Sequence, residues 1–590
     1  MSERPELRRL AAVLAAAVLL LLFMQRFVLV DLFAERCGLA LLFAAAQALA
    51  ITGTGYCARR MRGDSLALDF VVGYPLFGTL CFLVGTIHVS NATMAPLLAI
   101  AAIGGLFALR RRGTRARVVA PMTALTMFAF GAVAFVFAGA FLAAQAPPSS
   151  LDELAYHLAV PHAWVQAGRA IELPLLSHSY FPLGVESADL PLLAALDPIA
   201  AGIASHFVHL LAALATVALL LRLARRFGGG DEEHAWLVVA AIVATPALAL
   251  TAGWSLVDWP LLGICAALLL ACDADDAATI AAATAAGLLT KYTFVPLAGA
   301  ILLVTRRWRS AWPGLIAGSI FFLRNLVLTG NPVAPFFSKL APHVAGYRGG
   351  LLDYVFDGKF LDETLGVALF ALCFLAGGRA ALALLALAVA LFFVAPSSRI
   401  LLPFLALPAL TAVPRLATRD VARKLTVAAL ALAIVLQSWL VAFYVDRTNV
   451  FALLSGKLSD EAFLQQARPS FAAIEWLNRS LPHNSRTLVV GLNETFWFER
   501  EVRGGGNFDS PRISAYLDAP TPEALRERLR RDGITHVAVV ALPVAAQSGA
   551  KAEERQTRLS ATAQKSLSMM LDREAVNVVS RDDATLFTLR

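Results

Sequence analysis

Charge is scarce in this chain. Asp, Glu, Lys and Arg together make up only 16% of its 590 residues, against 58% hydrophobic residues and a mean hydropathy of +0.68. That balance excludes a water-soluble enzyme of this length. Cysteine chemistry is equally thin. Cys37, Cys57, Cys81, Cys265, Cys272 and Cys373 lie in or beside apolar blocks, with no CxxC and no Cys/His spacing suited to a metal, so neither a disulfide framework nor a structural zinc is expected. No P-loop, dinucleotide fingerprint or nucleophile triad is present. No internal repeat relates the two halves, which disfavours a transporter, and low complexity is confined to Gly228–Gly230 and Gly504–Gly506. The formal net charge of +8 does not indicate a nucleic-acid binder, because the basic residues form short clusters between apolar blocks and no continuous face.

What the sequence does have is apolar length. Blocks of about 15 to 25 residues match the thickness of a bilayer. They lie near residues 10–30, 38–57, 66–87, 94–110, 118–144, 197–221, 235–252 and 255–272, then near 275–290, 292–305, 311–329, 362–378, 380–395, 399–414 and 424–444. The fold class expected is therefore an α-helical polytopic membrane protein of about 13 to 15 spans. The basic start (Arg4, Arg8, Arg9) and apolar run of 1–23 read as an uncleaved first span, since no small-x-small cleavage site follows.

Orientation follows from where the arginines fall. With the N-terminus inside, alternate loops carry Arg59, Arg60 and Arg62; Arg110, Arg111, Arg112, Arg115 and Arg117; Arg222, Arg225 and Arg226; Arg306, Arg307 and Arg309; and Arg415, Arg419, Arg423 and Lys424, with Arg379 the exception at a short outside turn. The loops 147–198 and 331–362, and everything after Tyr444, then face outside. Residues 1–446 are expected to form the membrane domain. Residues 458–590 alternate helix-like stretches (Pro469 to Ser480, Thr521 to Asp532) with strand-like ones (Arg486 to Gly491, Thr535 to Leu542, Ala584 to Leu589), which predicts a small extracytoplasmic α/β domain.

The most informative segment is LDELAYHLAVPHAWVQAGRAIELPLLSHSYFPLGVESADL, 151–190. Asp152 and Glu153 fall directly after the fifth span, and Leu154, Leu158, Pro161 and Val165 recur at roughly helical spacing. This predicts an interfacial helix lying on the bilayer. The carboxylates and His157 would project from it toward the protein interior or the water. The alternative is structural: Asp152 as a helix cap and Glu153 as a first-turn acid complementing the dipole.

The run D-E-L-A-Y-H-L-A-V-P-x-x-W at 152–164, followed by S-Y-F-P-x-x-x-E at 179–186, resembles the first extracytoplasmic loop of bacterial GT-C glycosyltransferases. These are relatives of the protein O-mannosyltransferases and of the aminoarabinose transferase of lipid A. The resemblance continues in T-K-Y-T (290–293), R-N-L-V-L-T-G-N-P-V-A-P-F-F (324–337) and S-R-I-L-L-P (398–403). It covers the membrane part in order. His162 stands where such relatives often carry Lys.

The resemblance implies a GT-C fold and inverting transfer of a sugar from a polyprenyl-phosphate donor at the outer face of a bacterial inner membrane. An acidic residue of the first loop would act as general base, Asp152 first and Glu153 next. A hydroxyl acceptor needs such a base, whereas a phosphate leaving group needs positive charge. Lys291, Arg324 and Arg399 are the cations expected to converge on the donor phosphate. Each lies in or at the edge of an apolar block, where a charge costs roughly 2.5 to 3.5 kcal/mol; snorkelling to lipid headgroups is the competing explanation for each.

Tyr156, His157, Glu186 and Asp258 are expected around the cavity. Core hydrogen bonding for His157, a contact with its own loop's backbone for Glu186 and a turn role for Asp258 are the alternatives. Asp231, Glu232, Glu233 and His234 read as a solvated loop and helix start, not a metal site. Phe496, Trp497 and Phe498 read as core of the tail, with stacking on sugar faces as the alternative, and the N-F-D-S at 507–510 carries no assigned role. No cofactor is expected, and a divalent metal has no ligand cluster to support it. The expected partners are the donor lipid, a glycan, lipid or protein acceptor, and membrane lipids, with no nucleic acid. A flippase for lipid-linked sugars is the competing function.

Overall fold

The computed structural model describes residues 29–62, 65–111, 122–338, 340, 364–394, 397–417, 420–541, 559–581 and 583–590. Most of the expected first span, the basic residues Arg4, Arg8, Arg9, Arg112, Arg115, Arg117 and Arg419, and most of the outer loop 331–362 lie outside the described residues.

The protein is a polytopic helical membrane protein with a small C-terminal sheet. Among the described residues seven helices are long and apolar enough to cross a bilayer, or nine if two bent pairs each count as one span. This is fewer than the expected 13 to 15. Two apolar blocks prove to be bent, by 76° between Glu232–Val243 and Pro246–Gly253 and by 49° between Trp308–Gly318 and Ile320–Thr329. Other blocks are short: Asp258–Asp273 has 16 residues, about 24 Å of helix against roughly 30 Å of hydrocarbon.

Helix ends are set by local chemistry. Ser65 caps Leu66–Ile87 by accepting from the Leu68 N–H. Asp197 accepts from the N–H groups of Ile199 and Ala200, and Pro198 supplies the first residue of the 30-residue helix Pro198–Phe227. Asp231 likewise caps Glu232–Val243, in keeping with the helix start expected there. The helices Leu29–Ala58 and Leu66–Ile87 approach so closely that a Cβ on Gly55 would fall 1.8 Å from the Asp69 carbonyl oxygen, the small-residue contact that drives helix association in lipid. Arg59 is fully buried beside this contact, paired with Asp69 at 2.6 Å. Its charge is held inside the bundle, so Arg60 and Arg62 carry the loop charge there.

The C-terminal sheet has the order β2-β1-β3-β5-β4, with β1 Arg486–Val490, β2 Glu501–Gly504, β3 His536–Val540, β4 Ala575–Arg581 and β5 Ala584–Leu589. β1 runs parallel to β2 and β3, and β5 pairs antiparallel with β3 and β4. Alternate residues serve two cores. Leu488, Val490 and Val537 pack with Ile513, Leu517, Leu525 and Leu529 of the domain's own helices, while Val489, Ala538 and Leu586 join the main core. The expected helices and the strands β1, β3 and β5 are present. The edge strands β2 and β4 were not anticipated, since β2 is short and charged and β4 is mostly solvent-exposed, so neither carries the half-buried alternation that marks a strand.

Candidate active site

Residues Glu153–His157 form a π-helical turn that runs into the helix Ala159–Gln166. Leu154 and Leu158 are fully buried, as is Trp164. The apolar face expected to lie on the bilayer is therefore packed into the protein, and the interfacial-helix reading is corrected. The reason is the tail, which packs over this segment. The Leu154 carbonyl accepts from the N–H groups of Thr495 and Phe496 at 2.9 and 3.2 Å. The Gln166 side chain donates to the Phe498 carbonyl at 2.6 Å, and His162 Nδ1 lies 2.7 Å from the Phe496 carbonyl. Phe496 and Phe498 are core residues, 0% exposed.

Asp152 opens this turn. Its carboxylate meets Arg399 Nη1 at 2.5 Å, and the same guanidinium holds Asp258 at 2.8 Å. Asp258 in turn accepts from Lys291 Nζ at 3.2 Å. Four elements thus contribute one alternating chain of charge: the first loop, the N-terminus of Ser398–Ala409, the N-terminus of Asp258–Asp273, and the turn between Ala277–Leu288 and Phe294–Val304. The side chain of Asp152 is 34% exposed and that of Lys291 22%, whereas Asp258 is 3% exposed. Asp152 and Lys291 are therefore the ends open to a ligand, and Arg399 and Asp258 the buried middle. Burial raises the Asp152 carboxyl, but the charge and hydrogen bond of Arg399 outweigh it and hold the group well below the usual carboxylate range.

Glu153 points the other way. It is fully buried, with Oε1 2.8 Å from His206 Nε2 and accepting from the Ser255 N–H at 2.6 Å, while Oε2 accepts from the Ser150 N–H at 3.0 Å. Glu153 thus ties the first loop to the helix Pro198–Phe227 through His206 and to the turn at Ser255.

The three expected phosphate cations do not all converge. Arg324 donates to the Ser179 carbonyl at 2.8 Å and lies over the rings of Phe82 and Tyr180, with no bond to the Asp152 cluster among the described residues. Its neighbour Asn325 donates to the Tyr180 carbonyl at 2.6 Å, and the Tyr292 hydroxyl bonds the same oxygen at 3.0 Å. The R-N block therefore contacts the 177–181 loop through both side chains.

Tyr156 stacks on His178 with centroids 4.0 Å apart, and His178 stacks on Phe508 of the tail at 4.2 Å. His157 Nδ1 is 2.9 Å from Glu186 Oε1, both side chains nearly fully buried. Burial pushes the Glu186 carboxyl up to about 8 and the Asp189 carboxyl up to about 7, and lowers His157 and, to about 4, His178. Burial thus favours the uncharged forms of Glu186, His157 and His178 at neutral pH. Sequence reading missed His178, Phe508 and Asp509. The last accepts from the Ser177 N–H at 2.6 Å, and nothing local in N-F-D-S signals that it reaches a loop over 300 positions earlier. Among the described residues no group of three or more His, Cys, Asp or Glu is placed to hold a metal.

The Glu186 shift has a measurable consequence. Its folded pKa lies above the ordinary 4.5, so its contribution to stability is full below pH 4.5 and is lost as pH rises toward 8. Glu186→Gln, which keeps the uncharged shape, should flatten the melting temperature against pH across that window. A profile as steep as that of the unsubstituted protein would show that Glu186 is not held protonated.

No protein-family model matches the sequence, and no curated protein matches it. Among solved structures, the chain is similar to ArnT from Cupriavidus metallidurans, bound to undecaprenyl phosphate (16% identity, TM-score 0.46) and in the apo state (17%, 0.44), each covering 78% of this chain and 97% of that one. It is also similar to the archaeal oligosaccharyltransferase AglB from Archaeoglobus fulgidus, in complex with an inhibitory peptide and a dolichol-phosphate, at 13% identity over 88% of this chain and 70% of that one, with a TM-score of 0.27. At these values it is the chain's own site that bears on function.

Proposed function

We propose that this protein is an integral-membrane glycosyltransferase that moves a sugar from a polyprenyl-phosphate donor to a hydroxyl acceptor at the extracytoplasmic face of a bacterial inner membrane. The observation that carries the reading is the chain Asp152, Arg399, Asp258, Lys291, in which a half-exposed carboxylate shares one buried guanidinium with a second acid and an open lysine lies at the far end.

In the resting site Arg399 is neutralised by two carboxylates. A donor phosphate arriving beside Lys291 competes for that guanidinium, and as it gains Arg399 it loosens Asp152. The freed carboxylate then takes the proton of the acceptor hydroxyl while the acceptor oxygen attacks the anomeric carbon. The bond from that carbon to the phosphate oxygen breaks, and its electron pair leaves with the polyprenyl phosphate, whose charge Arg399 and Lys291 stabilise. Attack opposite the leaving group inverts the anomeric centre. Glu153, in this reading, fixes the turn that carries Asp152, and Tyr156, His157 and Glu186 form the cavity wall.

The membrane orientation is part of the proposal. The arginine distribution supports an internal N-terminus, and the contacts between the first loop and residues 495–498 support both lying on one side. Residues 1–446 are assigned to membrane-embedded transfer and 458–590 to a domain that covers the site. Mass spectrometry of envelope lipids and glycans from cells with and without the protein should show one sugar missing from one acceptor in its absence, with the lipid-linked donor accumulating. An unchanged glycan profile, or a sugar-lipid merely shifted between leaflets with no covalent product, would overturn it.

A further inference from the structure

At the opposite end of the bundle lies a cavity of about 660 Å³ that the transfer reaction does not use. Arg222, Arg225 and Arg226 line it together with Asp273, and Leu270 and Ala274 form an apolar wall. The helix Asp258–Asp273 spans from the site to this cavity, Asp258 binding Arg399 at one end and Asp273 lining the cavity at the other. The helix is too short to cross the roughly 30 Å of hydrocarbon by itself, at about 24 Å, but it separates the cavity from the Asp152 site by most of that thickness. The basic residues at the end of the long apolar helix Pro198–Phe227 line this cavity, as expected of groups at a membrane surface.

Three guanidinium groups meet a single lining carboxylate. Arg226 binds Asp273 at 2.8 Å, and Arg225 binds Glu232. Arg222 is exposed and makes no ion pair among the described residues. A space this size exceeds that of a small ion and falls in the range of ligand sites. Its rim offers the planar donors that grip phosphate in pairs, and its wall suits the start of an acyl chain. Positive pockets between membrane helices are the physical setting in which anionic lipid headgroups bind.

We propose that this cavity binds the headgroup of an anionic phospholipid, with Arg222 as the principal phosphate contact. General attraction of basic residues to a charged membrane would not single out Arg222 from another exposed arginine such as Arg309, and the test uses that difference.

The full-length protein, purified in a neutral detergent, is titrated with short-chain phosphatidylglycerol, short-chain phosphatidylcholine and sodium phosphate, and bound lipid is counted by native mass spectrometry beside the melting temperature. Phosphatidylglycerol should bind at least about tenfold more tightly than phosphatidylcholine. Arg222→Gln should weaken it about tenfold, the loss expected for one charge-assisted hydrogen bond, whereas Arg309→Gln should leave it unchanged. Equal binding by Arg222→Gln, equal loss in Arg309→Gln, or no preference between the two lipids would overturn the proposal. Stabilisation by sodium phosphate at the same concentrations would instead make this a site for a small anion, and would overturn the lipid assignment. None of these outcomes depends on transfer activity.

Discussion

Asp152→Asn is expected to abolish sugar transfer while the protein inserts, purifies and melts as before. The amide keeps the size of the side chain and removes the proton acceptor, so the turnover number should fall by about 10² to 10⁴. Stability should hold because Asp152 is the exposed partner of the pair: Arg399 keeps Asp258 at 2.8 Å when Asp152 is gone. The pH profile adds a second check. With its folded pKa held below the ordinary carboxylate value, chiefly by Arg399 against the opposing effect of burial, Asp152 stays ionised as pH falls. The kcat/KM should therefore not drop between pH 7 and 5 through this group. Transfer retained by Asp152→Asn, measured with a polyprenyl-phosphate sugar and separated lipid products, would remove Asp152 from the chemistry.

Arg399→Met is expected to cost both activity and stability. It leaves Asp258, 3% exposed, with Lys291 as its remaining ion-pair partner among the described residues, and breaking a buried ionic contact from one side typically costs about 3 to 5 kcal/mol. The double variant Arg399→Met with Asp258→Asn removes the stranded charge together with its partner. It should regain most of the lost melting temperature and none of the activity, a coupling that a double-mutant cycle measures directly. Arg399→Lys should fold better than Arg399→Met yet remain inactive, because an ammonium cannot hold two carboxylates with the geometry of a planar guanidinium. Normal turnover in Arg399→Lys would show that the bridge is a structural clamp and that the phosphate is held elsewhere.

Legibility in the sequence followed the range of the interaction involved. Apolar blocks, the helix start at Asp231, and the alternation in β1, β3 and β5 are local patterns, and they could be read. The acid in the first loop and the cations in the apolar blocks stood out because charge in such a setting is costly. What pairs with what was not legible. Asp152 and Glu153 are adjacent and chemically alike, yet the π-turn sends one to Arg399 and the other to His206, Ser150 and Ser255. Arg324 and Arg399 look equivalent as cations at span edges, but only Arg399 reaches the acidic pair.

By itself, then, the sequence determined that the chain must live in lipid, where the short-range signals of length and hydropathy suffice, and which few residues carry charge at a cost. Tertiary structure alone decided which of those charges meet and that the apolar helix after Asp152 is covered by the tail. It likewise brought the Phe508 and Asp509 segment against the 177–178 loop. Those outcomes depend on contacts between positions hundreds of residues apart, and no local pattern encodes which distant surface a side chain will find.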